Sequence, residues 1–218
     1  MAAGFDGARM DALTASLTGL DYAAVAVFGA SGALAAARRK HDIVAFGFFA
    51  AVTGVGGGTL RDLLLGAPVF WIDRQGYLVA CLAAALAVWL FGAGRARLAA
   101  LRWLDALGLA AYCVVGAAKA ASLGAVPLVA VVMGVLTACF GGVIRDVLAD
   151  EPSVLLQREI YVSAAVLGAA TFVLLQLAGT PGLPAGLAGF ATALVVRGGA
   201  IVWGWSLPGF PGRGPAED

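Results

Sequence analysis

Charged residues are scarce in this 218-residue chain, and their scarcity is the first constraint on its class. Only 12% of the residues are Asp, Glu, Lys or Arg, whereas 61% are hydrophobic. A soluble domain carries about a quarter charged residues, so this chain has too little polar surface to cover a globule in water. The composition therefore predicts an integral membrane protein whose partners include membrane lipids.

Several chemical signatures are also missing. The formal net charge of +1 is far from the basic excess that nucleic acid binding requires. The single histidine, His41, has no metal-ligand neighbours, and Cys81, Cys113 and Cys139 lie in apolar runs as small hydrophobes. The glycine-rich stretch 54–59 lacks the Gly-Lys-Ser/Thr ending of a phosphate-binding loop. These absences predict no nucleic acid partner, no metal, no cofactor, no catalytic residue and no enzymatic activity.

Seven apolar runs are long enough to cross a membrane as helices, since spanning about 30 Å of hydrocarbon takes roughly 20 residues. Short linkers with charged residues, glycine and proline separate them. The sequence therefore predicts an all-α membrane protein with seven transmembrane helices. The runs cover about 20–37, 42–65, 75–94, 103–121, 125–149, 158–179 and 183–203.

The chain repeats itself at a displacement of 84 residues. Matches of Ala and Gly alone mean little in so biased a sequence, but charged pairs, Pro and Tyr also align. Because each copy contains three spans, the second enters the membrane from the opposite side, which predicts two inverted three-helix repeats. The aligned pairs include Asp21 with Asp105, Thr53 with Thr137, Arg61-Asp62 with Arg145-Asp146, Pro68 with Pro152, and Tyr77 with Tyr161.

The repeat and the linkers together predict how the chain is divided and oriented. Arg and Lys collect in segments 38–40 and 95–102, at Arg158 and at the C-terminal end with Arg197 and Arg213. This asymmetry places the N-terminus outside and the C-terminus in the cytoplasm, in the inner membrane of a bacterium. The predicted segments are an N-terminal extramembrane segment 1–19, a first repeat 20–94, a cytoplasmic linker 95–103, a second repeat 104–180, a seventh helix 181–205 and a flexible tail 206–218.

Glycine clusters interrupt the second and fifth spans. Consecutive glycines in a helix each cost about 1 kcal/mol relative to alanine, so we expect these helices to break or kink and to expose carbonyl oxygens to ions. The alternative is that the glycines only let helices cross closely. The candidate pore and ion-binding residues are Thr53, Gly56, Gly57, Gly58, Thr59, Thr137, Gly141 and Gly142.

Ionisable residues follow both glycine clusters. Arg61-Asp62 and Arg145-Asp146 predict a charge network, paired within each helix or between the repeats. Its alternative role is a buried clamp with no part in transport. Lys119, near the end of the fourth span, is a candidate gate or a lysine that extends to the interface. Asp21 and Asp105, at the starts of spans, are interpreted mostly as structural helix caps.

At these residues the sequence resembles the trimeric intracellular cation channels and their prokaryotic homologues. The resemblance covers 20–203 and is most specific in the run Gly-Gly-Gly-Thr-Leu-Arg-Asp at 56–62, while Phe140 replaces the first glycine in the second copy. It implies a homotrimer with a separate pore in each subunit, passing potassium and, less selectively, sodium. It also implies that broken helices two and five line the pore, with Lys119 in a controlling position.

Two other functions remain open from the sequence. The same two-repeat signature is found in bacterial proteins described as glycine transporters, which makes a secondary transporter for a small zwitterion the alternative. A half-helix N-terminus near Arg61 would then bind the carboxylate of the substrate. A structural membrane protein without transport activity is a third possibility. The seventh span favours the channel, since a transporter made of two repeats needs only six helices.

Overall fold

The computed structural model describes residues 3–91, 97–153 and 159–208, which form seven α-helices joined by turns and loops. The predicted all-α class with seven helices is confirmed for this part of the chain. The helices are α1 (Ala3–Arg38), α2 (Ile43–Leu64), α3 (Gly76–Phe91), α4 (Arg97–Ser122), α5 (Pro127–Leu148), α6 (Val162–Leu177) and α7 (Gly182–Trp203).

Four of these helices are long and apolar enough to cross a membrane by length and composition: α2, the stretch Ala99–Ser122 of α4, α5 and α7. The helices α3 and α6 are apolar but have 16 residues each, a length of about 24 Å. Many large apolar side chains face outward, among them Phe91 at 84% and Val44 at 76% exposure. Such a surface fits a lipid environment and not water.

Two helices begin earlier than the hydrophobic runs predict. The helix α1 starts at Ala3, because no proline interrupts the segment before the first span. The helix α4 starts at Arg97, inside the predicted linker, where Leu, Ala and Arg are all good helix formers. Arg197 lies inside α7 and is buried, instead of belonging to an exposed C-terminal end. Arg95, Arg158 and Arg213 lie outside the described residues.

The backbone repeats at the same displacement as the sequence. Lys40, after α1, and Gly124, after α4, have φ of 58° and 83°. Gly66, after α2, and Asp150, after α5, have φ of 63° and 49°. Both pairs are 84 residues apart, so equivalent helices of the two repeats end in the same left-handed turn. In each pair one residue is glycine, which adopts this conformation without strain. The other residue, Lys40 or Asp150, carries a side chain and adopts the same conformation.

The helices α2 and α5 run continuously through their glycines, so the prediction of broken helices is wrong. Both contain 22 residues without interruption. The glycines instead allow close helix packing, which was the alternative interpretation. Burial of the surrounding surface offsets the low helix propensity of glycine, because tertiary packing supplies most of the stability of a helix.

The helix α7 packs against α4 and α6 through small residues. A Cβ placed at Gly189 would lie 2.7 Å from the carbonyl oxygen of Gly168 in α6, and one at Gly186 would lie 3.5 Å from Val114 in α4. Such small residues let the backbones of neighbouring helices approach closely, which holds α7 beside α4 and α6.

Candidate functional site

The centre of the site is the crossing of α2 and α5. A Cβ placed at Gly57 would lie 2.1 Å from the Thr137 carbonyl oxygen, and one at Gly141 would lie 2.5 Å from the Thr53 carbonyl oxygen. Along α2, Thr53 comes before Gly57. The residues that they contact come in the reverse order along α5, since Gly141 follows Thr137, so the two helices pack antiparallel. Each contact is the counterpart of the other after a shift of 84 residues, as in a self-complementary interface.

The two threonines of the crossing are fully buried. Thr137 donates a hydrogen bond from Oγ1 to the Met133 carbonyl at 2.6 Å, a common arrangement for threonine in a helix. The Oγ1 of Thr53 has no hydrogen-bond partner within the described segments. The crossing therefore holds one unpaired polar atom near its centre.

The remaining predicted pore residues make other contacts. Gly58 and Gly142 face aromatic residues, because a Cβ at either would lie 2.5 Å from the Phe70 ring or 2.8 Å from the Tyr161 hydroxyl, respectively. Gly56 faces the side chain of Ile144. Thr59 accepts a hydrogen bond from Trp71 Nε1 at 2.9 Å and donates one to Val55. The structure thus brings only Thr53, Gly57, Thr137 and Gly141 together.

A first ionic cluster lies where α2 ends, and we define it as Asp21, Arg61, Asp62, Tyr77 and Lys119. Asp62 Oδ1 accepts both Arg61 Nε and Lys119 Nζ at 2.8 Å. Asp21 Oδ2 accepts the Tyr77 hydroxyl at 3.0 Å. Arg61 and Asp62 are 1% and 0% exposed, while the Lys119 side chain is 30% exposed. A fully buried ion pair therefore meets a partly accessible cation.

A second ionic cluster lies where α5 ends, and we define it as Ser31, Asp105, Arg145, Asp146 and Tyr161. Arg145 Nη1 donates to Asp105 Oδ1 at 2.6 Å and to Ser31 Oγ at 2.5 Å. Its Nε and Nη2 donate to Asp146 Oδ1 at 2.9 and 2.8 Å. Three protein groups thus surround one buried guanidinium, the arrangement that a buried charge needs.

Two questions left open by the sequence are answered by these contacts. Each Arg-Asp pair forms between neighbours on one helix, and the links between repeats are made by Lys119 with Asp62 and by Ser31 with Arg145. Asp21 and Asp105 are not helix caps, because α1 and α4 begin well before them. They lie inside their helices and bind side chains of the clusters.

A cavity of about 570 Å³ opens beside the first cluster. Its wall includes three cluster members, Asp21, Tyr77 and Lys119, while no residue of the second cluster lines it. Asp73 and Arg74 add one charge of each sign. The cavity therefore reaches Lys119, the partly exposed partner of the buried Asp62.

Sequence reasoning missed several site residues. Phe70 donates its backbone N–H to Asp62 Oδ2 at 3.0 Å and places its ring 5.7 Å from the Arg61 guanidinium carbon. Arg197 pairs with Glu159 at 2.8 Å and lies 5.1 Å from the centre of the Tyr161 ring. A signal for Arg197 was present, since it is the one charged residue within the seventh apolar run.

Comparison with known families also finds the repeat. A family model described as Glycine transporter matches residues 18–93 and again residues 102–177. The second match is displaced by 84 residues at both ends, the same displacement that the sequence alignment predicts.

Relatives of this chain are membrane proteins. The UPF0126 membrane protein of Vibrio cholerae is 40% identical over 194 residues, covering 88% of this chain and 81% of that protein. The UPF0126 inner membrane protein YadS of Escherichia coli K12 is 39% identical over 198 residues, covering 88% and 94%. Each of these relatives therefore matches 88% of this chain.

Solved structures similar to this chain include cation channels. The TRIC trimeric intracellular cation channel orthologue from Rhodobacter sphaeroides is 47% identical, with a TM-score of 0.85 over 87% of this chain and 99% of that chain. A prokaryotic TRIC channel crystallised in 0.5 M KCl is 25% identical, with a TM-score of 0.83 over 89% and 100%.

Proposed function

This chain belongs to the family described as Glycine transporter and is a prokaryotic homologue of the TRIC channels, and we propose that it is a monovalent cation channel. The observation that carries the proposal is its 47% identity to the Rhodobacter sphaeroides cation channel over 99% of that chain. The permeant ions would be potassium and, less selectively, sodium. No cofactor would be needed, because the protein supplies only a polar path through the membrane.

We place the conducting path between the cavity and the α2–α5 crossing. The cavity supplies aqueous access to Lys119, which is bonded to the buried Asp62, and the crossing supplies the unpaired hydroxyl of Thr53. Helices α2 and α5 would line the path as continuous helices. The unpaired Oγ1 of Thr53 supports this route, since an unsatisfied hydroxyl is a natural ligand for water or an ion.

We propose that residues 20–94 and 104–180 are inverted repeats and that the seventh helix packs beside them. The antiparallel and reciprocal contacts of Gly57 with Thr137 and of Gly141 with Thr53 support this relation. All seven helices would span the membrane, with the N-terminus outside and the C-terminus in the cytoplasm. The word trimeric in the name of the Rhodobacter sphaeroides channel supports a homotrimer with one pore in each subunit.

The second candidate function is transport of a small zwitterion such as glycine. One observation favours it: the wall of the cavity carries both signs of charge, with Asp21 and Asp73 as well as Arg74 and Lys119. A zwitterion presents one group to each sign, whereas a monovalent cation can pair only with the two carboxylates. The description of the family model agrees with this candidate in name only.

The decisive experiment is single-channel recording of the purified protein in planar bilayers under asymmetric KCl. We expect discrete openings that reverse toward the potassium equilibrium potential. Lys119→Gln should raise the potassium conductance at least about twofold, because a positive charge leaves the path. Lys40→Gln is the matched control, since Lys40 is the other lysine of the chain, does not line the cavity and should leave the conductance unchanged.

A silent bilayer from folded, reconstituted protein would contradict the channel. Saturable uptake of radiolabelled glycine by the same proteoliposomes would then establish the carrier, and absence of both currents and uptake would leave a structural role.

A further inference from the structure

Asp21 and Asp105 occupy equivalent positions in the two repeats but bind different partners. In the first cluster, Asp21 Oδ2 accepts the Tyr77 hydroxyl at 3.0 Å. Asp21 Oδ1 and Arg61 Nη1 are both buried and have no hydrogen-bond partner within the described part of the chain. The aspartate is therefore bound to its tyrosine and not to its arginine.

The second cluster shows the opposite arrangement. Asp105 Oδ1 accepts Arg145 Nη1 at 2.6 Å. Asp105 Oδ2 and the Tyr161 hydroxyl are buried without a hydrogen-bond partner among the residues described. The atoms unpaired in the first cluster, Asp21 Oδ1 and Arg61 Nη1, correspond to the bonded Asp105 Oδ1 and Arg145 Nη1 of the second. The atoms unpaired in the second cluster, Asp105 Oδ2 and the Tyr161 hydroxyl, correspond to the bonded Asp21 Oδ2 and Tyr77 hydroxyl of the first.

We infer that each Asp-Arg-Tyr triad is a two-position switch, in which the aspartate exchanges its tyrosine partner for its arginine partner. Either position leaves one acceptor and one donor buried and unpaired, and each such group is unfavourable. Because neither position satisfies the whole triad, each can be exchanged for the other, as a bistable element requires. The structure holds the first triad in one position and the second triad in the other.

Two sequence differences between the repeats explain which position each triad holds. Arg145 Nη1 donates to Ser31 Oγ as well as to Asp105, so a second acceptor favours the arginine position. The residue equivalent to Ser31 in the other repeat is Val115, which has no acceptor to offer Arg61. Lys119, equivalent to Ala35, adds a second cation to Asp62.

The position of the first triad changes the cavity. Asp21 and Tyr77 both line the cavity wall, whereas Arg61 does not. When Asp21 pairs with Arg61, its negative charge is neutralised and withdrawn from the wall, which makes the cavity less attractive to cations. If the protein is a channel as proposed above, the tyrosine position is the conducting one and the arginine position is the resting one.

The test measures the charge of the cavity without recording currents, so it is independent of the proposed function. Ser122→Cys places a thiol in the cavity wall, and the native cysteines are at most 3% exposed. The readout is the ratio of labelling rates with a cationic and a neutral methanethiosulfonate in reconstituted protein. Unsubstituted protein gives the background.

Tyr77→Phe removes the bond that holds the tyrosine position and should lower this ratio about fivefold, as expected for loss of one hydrogen bond. Val115→Ser offers Arg61 the missing acceptor and should lower the ratio in the same direction. Tyr161→Phe is the matched control, because that hydroxyl has no hydrogen-bond partner in the described structure and the ratio should stay within about twofold of the parent.

The switch is supported only if Tyr77→Phe and Val115→Ser lower the ratio while Tyr161→Phe does not. An unchanged ratio in both first-triad variants would overturn it. An equal fall in Tyr161→Phe would also overturn it, since the effect would then be general loosening of the helices. Should Tyr77→Phe not fold, Val115→Ser and Tyr161→Phe still decide the question.

Discussion

The two ionic clusters share an Asp, an Arg-Asp pair and a Tyr at the same displacement, yet they differ in how completely their charges are satisfied. In the second cluster, Arg145 bonds to two carboxylates and to Ser31, and it does not touch the cavity. In the first cluster, Arg61 bonds to one carboxylate, and Lys119 reaches Asp62 from the cavity. Duplication thus supplied one framework, and a few substitutions turned one copy into a buried clamp and the other into the wall of a polar cavity.

The sequence left two roles open for the Arg-Asp pairs, and the two clusters differ in which of these roles they fit. A buried ionic clamp describes the second cluster, while three members of the first cluster line a polar cavity. The clusters are joined by the α2–α5 crossing, where Gly57 and Gly141 make equivalent contacts. Substitutions at equivalent positions of the two repeats therefore test which contacts the repeats share and which contacts differ between them.

The largest expected effect comes from removing each arginine. Arg145→Met removes the cation that Asp105 and Asp146 share and should lower the free energy of unfolding by about 3–5 kcal/mol, the cost of breaking a buried ion pair. Arg61→Met leaves Asp62 paired with Lys119 and should cost less. Unfolding of both variants in the same detergent measures the difference, and an Arg61→Met loss as large as that of Arg145→Met would contradict the comparison.

The next effect tests what the repeats have in common. Gly57→Ala and Gly141→Ala both force a methyl group onto a backbone carbonyl and should each cost about 1–3 kcal/mol, because α2 and α5 must separate. Gly186→Ala is the control: its Cβ would lie at an ordinary 3.5 Å from Val114, and the better helix propensity of alanine should make it neutral or stabilising. Thermal unfolding compares the three, and a neutral Gly57→Ala would show that the helices separate easily.

The smallest effect concerns the left-handed turns. Lys40→Gly and Asp150→Gly remove strained side chains and should stabilise the protein by about 1 kcal/mol each. Gly124→Ala and Gly66→Ala, at the equivalent positions, should destabilise it by a similar amount. Midpoints of unfolding measure both the expected gains and the expected losses of stability. A shift of the same sign in all four variants would mean that the turns are not equivalent.

The sequence predicted the class, the number of helices and the repeat correctly, because each depends on local patterns. Apolar runs of membrane length and the recurrence of Arg61-Asp62 as Arg145-Asp146 are visible without coordinates. It was wrong about the glycines, since helix propensity describes an isolated helix and α2 is packed on every side near Gly57. Asp21 and Asp105 were misread for a related reason, as the helices extend beyond the apolar runs that defined them.

What the sequence by itself determined is the lipid-embedded helical frame and its duplication, because hydrophobicity and spacing act along the chain. Which charges meet was decided only by the tertiary structure. Lys119 and Asp62 are bonded at 2.8 Å although 57 residues separate them, and Ser31 and Arg145 although 114 residues do. Partner choice among buried ionisable groups depends on distances of a few ångströms in a medium of low dielectric constant, and those distances exist only once the helices have packed.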